Sequence, residues 1–187
     1  MAKKKRNTFN IMVSSTVRGN ESDLIQISAV LRQKYGYKVT MSKEGRLYVS
    51  MGNINNTREA CLQAVRDCHF FFGIIYLRYG SGITHDEFKE AIILNKPRLF
   101  AANEKVEFLY QVLYPKLYSS NGTRKRFSIP KTDALDDIKV LDMYHEANKT
   151  NWVFGFNNIA EILTYIDTQF SNIEKRMLEL ETLNDQN

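Results

Sequence analysis

The chain has 187 residues, a formal net charge of +5, 43% hydrophobic and 25% charged residues, and only three prolines. That length suits one domain, or one domain with a helical extension, and that composition excludes the disordered, fibrous and collagen-like classes. No run approaches the roughly eighteen apolar residues of a membrane span, and the N-terminus lacks the apolar core of a secretory signal, so a cytoplasmic protein without membrane contact is expected.

Residues 1–8 form a basic tail containing Lys3-Lys4-Lys5-Arg6. Phe9 to Val13 then reads as a strand that ends in the polar Ser14-Ser15-Thr16. Asn20 precedes Leu24, Ile27, Val30 and Leu31 at helical spacing, closed by Tyr35-Gly36, and Tyr37 to Met41 is a second strand. The stretch Lys43 to Asn55 is polar, with Tyr48 a possible cleft residue. Asn56, with Glu59 three residues on, opens a helix carrying Ala60, Cys61, Ala64, Val65 and Cys68. Its two cysteines lie about 10 Å apart along that helix, too far for a disulfide, and read as small core residues.

Phe70 to Tyr76 is nearly continuous apolar sequence, the pattern of a central strand covered on both faces. A loop over Leu77 to Ile83, a helix over Thr84 to Leu94 and a fourth strand over Pro97 to Ala102 follow. Alternating strands and helices predict a doubly wound, mainly parallel α/β sheet, whose ligands bind beyond the carboxyl ends of the strands. Those ends carry Ser14 to Thr16, Ser42 to Ser50, Tyr76 to Gly82 and the region of Asn103.

Residues 9–102 form the core in this reading, and 103–150 a helical insertion with two helical patterns, about Val106 to Tyr118 and Ala134 to Asn148, separated by the basic stretch Ser119 to Lys131. Residues 151–187 supply an edge strand at Trp152 to Phe156 and one long helix. An apolar stripe from Ile159 to Leu183 makes that helix about 38 Å long, which predicts that its distal half meets the inserted helices or a second subunit, so a homo-oligomer is expected. The basic runs Lys3 to Arg6 and Arg124-Lys125-Arg126 read as a solvated tail and loop. Only Phe127 could stack beside them, so nucleic-acid binding ranks last.

Thr84-His85-Asp86-Glu87 fits a capping box, in which Glu87 reaches back to the cap residue. The same carboxylate follows a Gly-Ser-Gly turn at the end of the central strand, where the architecture places a cleft, and an ionised carboxylate there suits a cationic sugar. Both readings stay open. His69, His85 and His145 lack ligand spacing and no metal is expected. There is no P-loop, dinucleotide fingerprint or recognisable Ser-His-Asp set.

Ile11-Met12-Val13-Ser14-Ser15-Thr16, the run Phe71 to Ser81 with Arg78-Tyr79-Gly80-Ser81, and Ile83 to Phe88 with Ala91 resemble a family of uncharacterised bacterial domains with a strand-SST start and an RYGS centre. That family is grouped with TIR-like and nucleoside 2-deoxyribosyltransferase-like folds, and the likeness covers Thr8 to Ala102. The resemblance implies a TIR- or flavodoxin-like fold of about five strands. In the transferase relatives G-T-x-x-E-x-G-x-A carries the nucleophilic glutamate, and Thr84, Glu87 and Ala91 fall on its T, E and A. Lys89 replaces the second glycine, and Ile83 separates Gly82 from Thr84.

These readings lead to a TIR-like nucleotide- or nucleoside-binding domain expected to cleave or exchange the N-glycosidic bond of an NAD-like or nucleoside substrate, as an NAD-hydrolase-like N-glycosidase or a nucleoside deoxyribosyltransferase. Glu87 is the candidate catalytic residue. Ser14, Ser15, Thr16, Arg78, Tyr79, Gly80, Ser81 and Thr84 are the candidate binding residues. No bound cofactor is implied beyond the nucleotide itself. The alternative is a non-catalytic nucleotide-sensing or assembly module.

Overall fold

A computed structural model describes residues 9–41 and 56–184. Tyr48 and the Ser42 to Ser50 strand end lie outside the described residues, as does the basic tail. Five strands, β1 (Asn10–Ser15), β2 (Lys38–Met41), β3 (Phe70–Ile75), β4 (Arg98–Asn103) and β5 (Val153–Phe156), pair in parallel in the order β2-β1-β3-β4-β5. This is the flavodoxin-like doubly wound order, with the chain starting inside the sheet and changing direction once. The expected α/β fold is therefore present, with β3 central and β5 at an edge.

The helices are α1 (Glu21–Ala29), α2 (Thr57–Asp67), α3 (Ile83–Ile93), α4 (Glu104–Leu117), α5 (Lys139–Thr150), α6 (Ile159–Phe170) and α7 (Ile173–Asn184), and α1 runs on into a π-helical turn at Val30–Lys34. Asn56 caps α2 as its sequence suggests, its side chain accepting from Glu59 N–H at 3.0 Å.

Alternation along the buried strands explains the two layers. Met12, Phe71, Ile75 and Phe100 face Val65 of α2, Phe88 and Ala91 of α3, and Val140 and Leu141 of α5. Ile11, Val13, Phe70, Phe72 and Ile74 face Leu24 and Ile27 of α1 and Ile162, Ile166 and Phe170 of α6. Every β3 residue is buried, which is why its sequence carries no polar alternation.

Gly73 lies in β3 on the α3 side. A Cβ there would stand 2.5 Å from Phe88 Cζ and 2.6 Å from Phe100 Cδ1. These rings are packed against Phe71 and against each other and cannot retreat freely. Gly73→Ala is expected to destabilise the fold by about 1–3 kcal/mol through overpacking. The readout is a melting temperature several degrees lower, and an unchanged midpoint would contradict this packing.

The single long C-terminal helix expected over residues 159–183 is two helices, broken at Ser171 and Asn172. Arg176 Nη1 reaches back across the break to the Gln169 carbonyl at 2.8 Å and to its side-chain oxygen at 2.9 Å. The turn directs Ile173 onto the sheet, where it is buried beside Phe170. The apolar stripe is thus covered by the chain's own sheet through Ile173, while Leu178 is 63% exposed. The helix expected from Ala134 begins only at Lys139. Residues before it instead form a turn in which Thr132 and Leu135 exchange hydrogen bonds. Of the basic loop, Arg124 pairs with Asp142 at 2.6 Å and Lys125 donates to the Pro115 carbonyl at 2.8 Å. Among the described residues no helix is long and apolar enough to cross a membrane.

Candidate functional site

In this strand order β1 and β3 lie side by side, but their following connections run to opposite edges of the sheet. The crevice opened at their carboxyl ends is where ligands bind in doubly wound folds. Here it lies between the end of β1, with Thr16 to Asn20, and the Arg78-Tyr79-Gly80-Ser81 loop after β3.

Two glycines shape that loop. Gly80 has φ +67° and a Cβ on it would meet Thr16 Cγ2 at 3.0 Å; Gly82, the residue preceding α3, has φ +81° and sits against the Tyr79 ring. The left-handed conformation at both positions favours glycine. Thr16 Oγ1 donates to the Tyr79 carbonyl at 3.4 Å, which joins the two sides of the crevice.

The loop is also held from the segment between β4 and β5. The Asp136 carboxylate accepts Tyr79 N–H at 2.7 Å and Gly80 N–H at 3.0 Å. Burial pushes the Asp136 carboxyl up, but these backbone donors outweigh burial and hold it below its ordinary value of 3.8. Its clamp is therefore complete above that value and is lost as pH falls through the lowered one. The Tyr79 hydroxyl lies 3.0 Å from His85 Nδ1, and His85 Nε2 lies 2.9 Å from Glu146 Oε2. Burial first, then the carboxylates of Asp86, Asp137, Asp142 and Glu146, push the Tyr79 phenol up to about 12, so it keeps its proton at neutral pH.

A cavity of about 710 Å³ occupies the crevice, a size within the usual range of ligand pockets. Its walls include Ser15, Thr16, Arg78, Tyr79, Gly80, Ser81 and Thr84, so seven of the nine residues singled out from the sequence share it. Arg18, Lys131 and Asp136 also line it. Arg18, Arg78 and Lys131 have no carboxylate partner among the described residues. Of the cavity's own acids, Asp136 is engaged by the loop amides and Glu21 accepts from Gly19 N–H at 2.9 Å. Ser15 is 3% exposed, and its hydroxyl has no hydrogen-bond partner among the described residues. A buried hydroxyl without a partner is costly unless something else occupies it, and here it belongs to a residue of the cavity wall.

The other two residues, Ser14 and Glu87, are both 0% exposed and do not line the cavity. The Ser14 hydroxyl donates to Glu87 Oε2 in a short hydrogen bond between β1 and α3. The capping box does not form. Gly82 occupies the cap position, α3 starts at Ile83, and no side chain caps it. Glu87 is therefore the fifth helical residue rather than a first-turn one, and its carboxylate turns toward the sheet.

The residues missed by sequence reasoning are Arg18 and Lys131 as cavity cations, Asp136 as a loop contact and Glu146 as the partner of His85. His85, which lacks metal-ligand spacing, is instead the link between Tyr79 and Glu146.

The fold and this crevice define a doubly wound α/β domain with a cationic cavity at its switch point. The family described as "Domain of unknown function (DUF4062)" matches residues 10–171, and the chain belongs to that family. Among curated proteins, none matches it in sequence. A solved structure titled "Structure of Clostridium botulinum CMP N-glycosidase, BcmB" is similar at 13% identity and a TM-score of 0.48, covering 86% of this chain and 99% of that one. The TIR domains in "Structure of the activated Roq1 resistosome directly recognizing the pathogen effector XopQ" are similar at 15% identity and a TM-score of 0.46, covering 85% and 99%.

Proposed function

We propose that the switch-point cavity binds a phosphorylated nucleoside, such as a nucleotide or an NAD-like dinucleotide, and that Glu87 acts on its N-glycosidic bond. The observation that carries the binding is the convergence of Arg18, Arg78 and Lys131, without carboxylate partners among the described residues, on one cavity whose wall also includes Ser15, Thr16 and Ser81. Guanidinium and ammonium groups suit phosphate oxygens, and the Ser15, Thr16 and Ser81 hydroxyls suit phosphate or ribose. A neutral ligand would leave the three cations uncompensated.

In the chemical step the bond between the anomeric carbon and the base nitrogen breaks, the base leaves with the bonding electrons, and positive charge develops on the sugar; nicotinamide leaves already neutral, whereas a purine or pyrimidine takes up the proton that the attacking water releases. A carboxylate at the ribose stabilises that charge or attacks the carbon, and water completes the cleavage. The fit of Thr84, Glu87 and Ala91 to the transferase glutamate pattern supports giving this role to Glu87. For the step its carboxylate exchanges the Ser14 hydroxyl for the ligand, past Thr84, which already lines the cavity.

A second reading, a nucleotide-binding or assembly module without catalysis, is favoured by one specific observation. Glu87 is fully buried and held by Ser14, away from the cavity wall. In that reading, association of two chains would use α7, where Leu178 is exposed. Incubation with a panel of nucleosides, nucleotides and dinucleotides, read by chromatography, separates the two. Free base released from phosphorylated members and not from plain nucleosides supports cleavage. Binding without any free base supports the module.

A further inference from the structure

The helices between β4 and β5 lie outside the segment whose motifs suggested a site, yet, of the carboxylates between β4 and β5, Asp136 accepts from Tyr79 N–H and Glu146 reaches the Tyr79 hydroxyl through His85. We infer that Asp136 and Glu146 are positioning residues for the cavity, Asp136 fixing the backbone of the Tyr79–Gly80 loop and Glu146 fixing the Tyr79 ring through His85. This inference rests on the cavity being the ligand site.

A loop with left-handed residues at Gly80 and Gly82 has many accessible conformations, and its amides need partners once water is displaced. Asp136 receives two successive amides at 2.7 and 3.0 Å, which selects one conformation. It reaches them from an irregular turn, and Leu135 and Ile138, buried in the layer that contains α3 and α5, anchor that turn on either side.

Ring placement uses a separate chain of contacts. His85 is 4% exposed on α3, and Glu146 Oε2 at 2.9 Å accepts its Nε2–H. In the neutral imidazole this leaves Nδ1 as the acceptor for the Tyr79 hydroxyl at 3.0 Å. Lys89 Nζ, 3.9 Å from the other Glu146 oxygen, steadies that carboxylate at its solvent end. The assignment makes the β4–β5 segment a wall of the site, and a ligand entering the cavity would meet a preset ring and backbone.

The test uses the full chain labelled for NMR, without ligand, so that it does not depend on cleavage. Amide exchange at Tyr79 and Gly80 is compared with that at Phe72 and Ile74 of β3, and the Tyr79 ring signals are assigned with Tyr79→Phe. Asp136→Ala is expected to accelerate exchange at Tyr79 and Gly80 about tenfold or more relative to β3, from loss of a charge-assisted contact. Glu146→Ala is expected to move the Tyr79 ring signals toward random-coil values, and Glu146→Gln, which still offers an oxygen to His85, to restore them. Exchange that rises equally in the loop and β3, or ring signals untouched by Glu146→Ala, would overturn the inference. These outcomes are independent of the failure of cleavage, which appears only in the base-release assay.

Discussion

Glu87→Gln is expected to leave the fold intact and to lower free-base release by about 10²–10⁴-fold, the usual range for removing one acid–base or charge-stabilising group from an active site. Glutamine has the shape of glutamate and can still meet the Ser14 hydroxyl, so the contact between β1 and α3 survives the change. The neutral amide of equal volume also avoids the cost of burying a charge. The melting temperature should therefore move by no more than about 2–4 °C, the equivalent of 1 kcal/mol at this size. What the substitution removes is the negative charge that faces a developing cation at the anomeric carbon. Ligand affinity, set by Arg18, Arg78 and Lys131 on the cavity wall, should stay within a few-fold. Equal release by the two proteins would remove Glu87 from the chemistry. A large fall in stability would show that the carboxylate's role is structural.

Arg78→Ala combined with Arg18→Ala is expected to weaken binding of a phosphorylated ligand about 100-fold or more. Charge-assisted hydrogen bonds contribute about 1.5–3 kcal/mol each, although two neighbours on one phosphate are not strictly additive. Both side chains are exposed and neither holds a carboxylate among the described residues, so the fold should tolerate their loss. Salt dependence gives the second readout. Wild-type affinity should fall as ionic strength rises, and the double variant should lose most of that slope. A plain nucleoside, lacking phosphate, should bind both proteins alike. Unchanged affinity for a nucleotide in the double variant would place the phosphate elsewhere.

The parts of the fold legible in the sequence are those whose burial leaves a mark in one short window. Phe70 to Tyr76 reads as a central strand because both its faces are covered, and the parallel pairing of the sheet follows from strands alternating with helices. The break between α6 and α7 is not legible, because the apolar spacing runs through Ser171 and Asn172 without a proline or glycine, and only the docking of Ile173 imposes the turn. Thr84 to Glu87 satisfies a capping pattern, but cap position is decided by backbone angles, and Gly82 takes it two residues earlier. The RYGS loop and the Ser15-Thr16 wall were legible as motifs at strand ends. Asp136 was not, since a lone acid in an irregular turn has no periodicity, and its partners lie 57 and 56 residues away in the chain.

The most direct measurement is a map of amide chemical-shift changes in the labelled full chain on titration with NAD and, separately, with adenosine monophosphate. The account predicts that the largest changes gather at Ser15 to Arg18, Arg78 to Gly82, Thr84, Lys131 and Asp136, and that they weaken when salt is raised. Changes confined to the opposite end of the sheet, around Phe9, His69 and Glu174, or no changes with either compound, would contradict it.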